Sequence, residues 1–236
     1  MANQKKDFSY VMCPGSQPLK EFNEIHKQIY KCWHEVWEKT FEELKIEKKV
    51  YSDAFTRQDY VGALFFQNIC VGMSFFRWAH RERDDFSRDS YFENWQAQHL
   101  DVLCSQGPDI IVCSNYTLHP LARGNQLGLS TKDLLLGMIV ETFLNSQAHA
   151  MTGAVRKSRK VNEVCSRWGA TEIDQDIPSG YGDMVDIMAF FKDQVRNHPR
   201  HELKALAEDL WNERLHIPRV SPEAEYLAPS QLKKVS

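Results

Sequence analysis

Asp109-Ile-Ile-Val-Cys-Ser-Asn-Tyr-Thr-Leu-His-Pro120, then Leu-Ala-Arg123-Gly-Asn-Gln-Leu-Gly128, then Leu129-Ser130-Thr-Lys-Asp133, is the stretch that decides the fold. The first part is rich in β-branched residues and reads as a strand from Asp109 to His119, which Pro120 ends. Arg123–Gly128 reads as a tight polar loop. Ser130 followed three residues later by Asp133 resembles a capping box and opens a mostly apolar helix that runs to about Gln147. Strand, glycine-containing loop and capped helix together form a phosphate-holding device. A helix N-terminus leaves N–H groups unpaired and carries partial positive charge, and glycine lets a ligand come close to the backbone. Arg123 can add a charge-assisted contact. The same order also arises in strand–turn–helix connections with no ligand.

Downstream, Ala148–Val155 reads as a small-residue strand and Ser158–Trp168 as a short helix stopped by Gly169. Ala170–Gln175 and Met184–Phe191 read as strands joined by a loop with Pro178, Gly180 and Gly182, and Glu202–Leu215 as a last amphipathic helix. Upstream, Asp59–Phe66 and Ile69–Trp78 flank Gln67-Asn68 and predict an antiparallel hairpin. The charge run Arg81–Asp89 reads as a solvated loop, and Tyr91–Leu103 as a helix. Gln17 to about Leu44 shows apolar residues at helical spacing, including Trp33, Trp37 and Phe41. Residues 1–16 read as a loose leader, 17–216 as one domain, and 217–236, with Pro218, Pro222 and Pro229, as an extended tail.

The chain has 236 residues with 29 Lys+Arg against 32 Asp+Glu, a balance without the basic excess of a nucleic-acid binder. Six scattered cysteines without a C-x-x-C pair, behind an N-terminus with no apolar signal segment, predict free thiols and a cytoplasmic protein. The longest apolar stretch, Val61–Phe76, is too short and too interrupted to span a membrane. Cys32, His34 and His26 lack the spacing of a zinc site, so no metal is expected. Neither G-x-x-x-x-G-K-[ST] nor G-x-G-x-x-G occurs, which sets aside the two common nucleotide loops.

On Tyr116-Thr117-Leu118-His119-Pro120, Arg123-Gly124-Asn125-Gln126-Leu127-Gly128 and the helix–strand–helix order that follows, the chain resembles the GNAT acyltransferase superfamily. The resemblance covers Asp109–Phe191 and, more loosely, the N-terminal helix and hairpin. Its signature is [Q/R]-x-x-G-x-[G/A]; Arg123 and Gly128 fit the ends, and Gln126 stands where the middle glycine belongs. The helical additions look like the branch of N-acyl amino acid synthases and acyl-homoserine-lactone synthases. The resemblance implies an α/β (α+β) fold with a mixed, splayed central sheet flanked by helices, in which Asp109–His119 and Ala148–Val155 are neighbouring strands. It implies acyl-CoA or acetyl-CoA as co-substrate, held by Tyr116, Thr117 and Leu118 on the strand and by residues 123–130, from Arg123 through Leu129 to Ser130. The acceptor would be a small-molecule amine or a protein amine, and the acyl donor could instead be acyl carrier protein.

Direct attack of an amine on a thioester needs a base, oxyanion donors and an acid for the leaving thiolate. The resemblance places the oxyanion donor on a backbone N–H near Leu118. The family's acid is a tyrosine in or after the second helix; Cys165 stands there, as acid or as a small buried hydrophobe. His119 is either a base or a strand-end cap. Asp186, on a strand otherwise written for burial, either meets a substrate ammonium or makes an internal salt bridge. Trp33, Trp37 and Phe41 are core residues or the wall of an acyl groove. Two functions stand: an N-acyltransferase, or a GNAT-fold module that binds an acyl thioester without turnover.

Overall fold

The computed structural model describes residues 7–93, 95–180 and 182–219. In chain order the elements are β1 (Phe8–Cys13), α1 (Asn23–Glu43), α2 (Asp53–Thr56), β2 (Tyr60–Phe66), β3 (Ile69–His80), α3 (Ala97–Leu103) and β4 (Asp109–Leu118). There follow α4 (Thr131–Leu144), β5 (Ala150–Arg156), α5 (Val161–Arg167), β6 (Thr171–Pro178), β7 (Met184–Phe191), α6 (Lys192–Asn197), α7 (Lys204–Asn212) and β8 (Leu215–His216). The eight strands among the described residues form one mixed sheet in the order β6-β7-β5-β4-β3-β2-β1-β8.

Alternation along the strands builds a core on each face. On one face, Trp33 and Ile29 of α1 and Phe55 of α2 pack on Val11, Ala63, Met73 and Phe75. Farther along that face, Phe86, Phe92 and Leu103 cover Ile110, Val112 and Ala150. On the other face α4 lies against Tyr10, Leu64, Phe76 and Ile111, with α5 and α7 beside it. Twelve of the fourteen residues of α4 are buried, from Thr131 to Phe143. A helix roofed by α7 and floored by the sheet has no solvent face, which is why its sequence is apolar without a clear stripe.

The hairpin, the strand from Asp109, the Ser130 cap and the neighbouring of β4 and β5 stand as expected. β4 and β5 pair in parallel, Ile110–Val112 against Ala150–Thr152.

Several expectations are corrected. The leader is no leader from Phe8 on: Phe8–Cys13 is a strand inside the sheet, antiparallel to β2 and parallel to β8. Tyr10 and Met12 face one core and Val11 and Cys13 the other, so both faces are paid in apolar burial. Residues 1–6 lie outside the described residues. The helix expected over Tyr91–Leu103 begins at Ala97, because Phe92 stacks on Phe86 with ring centroids 4.5 Å apart and Asp89 takes both prongs of Arg77 at 2.5 and 3.0 Å. The last helix ends at Asn212, and Leu215–His216 turns into the short edge strand. Ile217, expected to begin the tail, is fully buried and donates its N–H to the Met12 carbonyl at 2.8 Å. Residues 220–236 lie outside the described residues.

Candidate functional site

The parallel ladder between β4 and β5 stops at Val112 and Thr152, yet β4 continues to Leu118 and β5 to Arg156. Beyond that point the strands diverge, and the β5-facing backbone groups of β4 have no strand to bond. A bulge in β4 lies beside the divergence. The β3–β4 register shifts between Met73, opposite Thr117, and Phe75, opposite Ser114. Asn115 inside the bulge takes a positive φ of 52°, a conformation in which asparagine is one of the few tolerated side chains. Gly153 matters at the root of the opening: a Cβ there would stand 2.8 Å from the Cys113 carbonyl oxygen.

Two tryptophans of α1 hold the bulge. Trp33 Nε1 donates to Asn115 Oδ1 at 2.9 Å, and Trp37 Nε1 donates to Thr117 Oγ1 at 3.0 Å. Thr117 Oγ1 donates in turn to the Asn115 carbonyl at 2.6 Å. The first of these indoles is core and the second lines the opening.

The opening is a cavity of about 270 Å³ whose walls include Val36, Trp37 and Thr40 of α1, Tyr116 and Leu118 of β4, and Ala154–Arg156 of β5. Arg123, Gly124, Asn125, Ser130, Thr131 and Lys132 close one end of it. A smaller space of about 40 Å³ continues inward past Cys113, Met151, Gly153, Cys165, Met188 and Phe190.

The Arg123–Ser130 loop turns left-handed at Gly124 (φ 66°), Asn125 (φ 61°) and Gly128 (φ 80°). Gln126 has no positive φ, so the absence of glycine there strains nothing; the positive-φ positions are Gly124, Asn125 and Gly128. Ser130 caps α4: its Oγ accepts from the Asp133 N–H at 3.3 Å and donates to Asp133 Oδ2 at 2.5 Å. Asp133 Oδ1 also receives Arg167 Nε and Nη2 at 3.1 and 2.8 Å, which pins α5 to the start of α4. The N–H groups of Thr131 and Lys132, in the first turn, have no intrahelical acceptor. The Thr131 hydroxyl is buried at the cavity wall with no hydrogen-bond partner among the described residues. An orphan donor beside a helix N-terminus fits an anionic ligand.

Four cationic side chains line the cavity, Arg123, Lys132, Arg156 and Arg159, and no Asp or Glu does so among the described residues. Lys132 Nζ donates to the Arg159 and Lys160 carbonyls at 2.8 and 3.0 Å, and burial, then Arg167, lower its pKa. Arg159 reaches across to Glu43 at the end of α1. Arg123 Nη2 lies 3.5 Å from the Leu118 carbonyl.

Of the residues assigned to the donor site, Tyr116, Leu118, Arg123, Gly124, Asn125 and Ser130 line the cavity, while Thr117 stands behind it. Gln126, Leu127, Gly128 and Leu129 complete the turn without lining it. The Tyr116 hydroxyl donates to the Lys132 carbonyl, and burial pushes its pKa well above the usual value.

The three candidate acid–base groups are not brought together, and none lines the large cavity. His119 Nδ1 accepts from the Leu121 N–H at 3.3 Å, the strand-end cap reading, and burial lowers its pKa. Cys165 is 3% exposed, in the wall of the small space, and burial pushes its thiol up to about 12. Asp186 is 1% exposed, and neutral donors satisfy it: Asn162 Nδ2 at 2.8 Å on Oδ2 and the Asp176 N–H at 3.1 Å on Oδ1. Of the two alternatives for Asp186, the internal salt bridge gives way to these two neutral hydrogen bonds, with no Lys or Arg paired to it among the described residues.

Sequence reasoning named Trp37 as core or groove wall but missed Val36 and Thr40 beside it on α1, and it missed the cations Lys132, Arg156 and Arg159. The stripe of aromatics on α1 was a signal for the first; nothing local marked the second. Among the described residues no group of three or more His, Cys, Asp or Glu is placed to hold a metal, and no helix is long and apolar enough to cross a membrane.

No protein-family model matches the chain, and no curated protein matches it in sequence. Solved structures do match. An N-acyl amino acid synthase, FeeM, from uncultured soil microbes superposes with a TM-score of 0.56 at 12% identity, over 84% of this chain and 97% of that one. The acyl-homoserine-lactone synthase LasI superposes with a TM-score of 0.50 at 13% identity, over 77% of this chain and 89% of that one. At such identities the likeness is one of architecture. The chain has the GNAT fold, in the form that it shares with an N-acyl amino acid synthase and an acyl-homoserine-lactone synthase.

Proposed function

We propose that the protein is an N-acyltransferase that moves an acyl group from acyl-CoA to a primary amine by direct attack on the thioester. The observation that carries this is the cleft between β4 and β5, which runs from an unpaired strand edge to the capped N-terminus of α4 between cationic walls. The names of the two structural neighbours support a transfer to an amine. The donor's phosphates lie on the Thr131 and Lys132 N–H groups, the Thr131 hydroxyl and Arg123. Its thioester lies along β4, whose N–H groups polarise the carbonyl near Leu118.

The amine sheds one proton to solvent at the open mouth and attacks the carbonyl carbon. A C–N bond forms, the oxyanion collapses and the C–S bond breaks. A second proton passes from nitrogen to the departing thiolate, leaving an amide and a free thiol. His119, Cys165 and Asp186 are engaged in packing and hydrogen bonds, so in this scheme they support the site and do not exchange protons. A carrier-protein thioester presents the same phosphopantetheine arm to the same cleft. Free thiols at all six cysteines fit a reducing compartment and a cytoplasmic enzyme.

That engagement of all three candidate groups also favours a second reading, a module that binds the thioester without turnover. Thiol release separates the two. Incubation with a panel of acyl-CoA chain lengths and pooled amines, followed by intact mass measurement, should yield free coenzyme A and an N-acyl product. Binding of acyl-CoA with no thiol released by any amine would establish the module instead.

A further inference from the structure

We propose that the inner space between β4 and β5 seats the donor's acyl group and admits only short chains. Met151, Met188 and Phe190, at its buried end, set that limit. The proposal rests on the transfer reading and names the donor's acyl class. Asn115, Tyr116, Ala154, Val155 and Val161 line both the large cavity and the space of about 40 Å³ behind it, so one opens into the other. A donor with its phosphates at the start of α4 and its thioester on β4 points its acyl group back along the strand. Asn115 and Cys113 lie in that direction, and both line the inner space.

The two spaces differ in chemistry. Arg123, Lys132, Arg156, Arg159 and the unpartnered Thr131 hydroxyl belong to the outer one. Among the described residues no Lys, Arg, Asp or Glu lines the inner one, and none of the unpartnered buried nitrogen or oxygen atoms lies in its lining. Thr152 Oγ1 is spent there on the Met188 carbonyl at 3.0 Å, and the Tyr116 hydroxyl on the Lys132 carbonyl. The Cys113 and Cys165 thiols stay protonated, because burial raises both. A space without charge or an orphan donor takes the apolar end of a ligand.

Size sets the chain length. Met151, Met188 and Phe190, with Leu136 and Ile139 of α4, are buried members of the core, so the space ends blind. A cavity of about 150 Å³ holds one benzene, or about 25 Å³ for each carbon. By that measure about 40 Å³ admits one or two carbons beyond the carbonyl, an acyl group of about two or three carbons. Each further methylene must displace side chains of a close-packed core.

The test is a series of straight-chain thioesters from acetyl-CoA to dodecanoyl-CoA, read by calorimetric titration and by thiol release with pooled amines. Acetyl-CoA or propionyl-CoA should bind tightest, with affinity falling about tenfold or more by hexanoyl-CoA. Met188→Ala and the milder Phe190→Leu deepen the space and should move the optimum to longer chains. Free coenzyme A, titrated into each variant, shows whether the fold and the phosphate end are intact. Equal or tighter binding of the long chains by the native protein would overturn the proposal. So would an unchanged chain-length order in both folded variants, or an order that moves with Trp37→Ala alone, which would lay the chain along α1. Chain-length ranking in binding without any thiol release would uphold the acyl seat and overturn the transfer reading alone.

Discussion

Trp33 Nε1 and Asn115 Oδ1 stand 2.9 Å apart, tying the buried face of α1 to the residue at which β4 bulges away from its neighbour. The bond does two things. It satisfies an indole N–H that is buried at 1% exposure, and it holds a left-handed asparagine at the bulge beside the cleft.

Trp33→Phe removes the indole donor and exchanges the fused ring for a smaller phenyl, which leaves a void in the core. The expected cost is about 2–4 kcal/mol of stability, the void added to the unmet Asn115 oxygen. For a chain of this size each kcal/mol lowers Tm by about 2–4 °C. Acyl-CoA affinity should fall as well, because the bulge relaxes. Thermal melts with and without acyl-CoA read both effects. An unchanged affinity in the destabilised variant would confine Trp33 to the core.

Asp186→Asn should act on the fold before it acts on turnover. Both carboxylate oxygens accept hydrogen bonds, and an amide offers one oxygen and one NH₂, so one donor would face another. A loss of about 1–3 kcal/mol follows, with acyl-CoA affinity and turnover retained below the new Tm. Turnover abolished at an unaltered Tm would return Asp186 to the acceptor side.

How legible the site was depended on sequence distance. Ser130, Asp133 and the Arg123–Gly128 turn lie within a dozen residues, and local chemistry of caps and turns could be read directly. The α1 wall was legible only as one of two alternatives for its aromatic stripe, because Trp33 and Trp37 meet β4 across some eighty residues of chain. A tryptophan at helical spacing reads as core whether or not its indole nitrogen reaches a bulge. Phe8–Cys13 was hidden for a different reason: six residues before Pro14-Gly15 are a weak strand signal, and pairing with β2 and β8 supplies what local propensity does not. Asp186 was correctly seen as buried, but its partners come from Asn162 and a backbone N–H, which charge pattern cannot announce.

Glu141, in the middle of α4, gives a pH-dependent prediction. It is 6% exposed with Oε1 unpartnered among the described residues, and burial followed by the Glu208 charge raises its pKa above 4.5. A carboxyl raised in the folded state contributes stability that is present below its unfolded value and lost as pH rises through its folded value. Glu141→Gln should therefore raise Tm near neutral pH, with the gain shrinking as pH falls toward 4.5. Melts of both proteins across that range check it; a gain that grows on acidification would contradict the sign.

Donor binding at the Arg123–Ser130 turn is tested most directly by calorimetric titration of acyl-CoA into the native protein and into Gly128→Val. Valine at a φ of 80° is disfavoured by its branched side chain, so the variant should reshape the turn while β4 and α4 stay packed. Saturable binding to the native chain, lost or weakened by about tenfold or more in a folded Gly128→Val, is the predicted result. No acyl-CoA binding by the native chain at any chain length, or equal binding by both proteins, would contradict it.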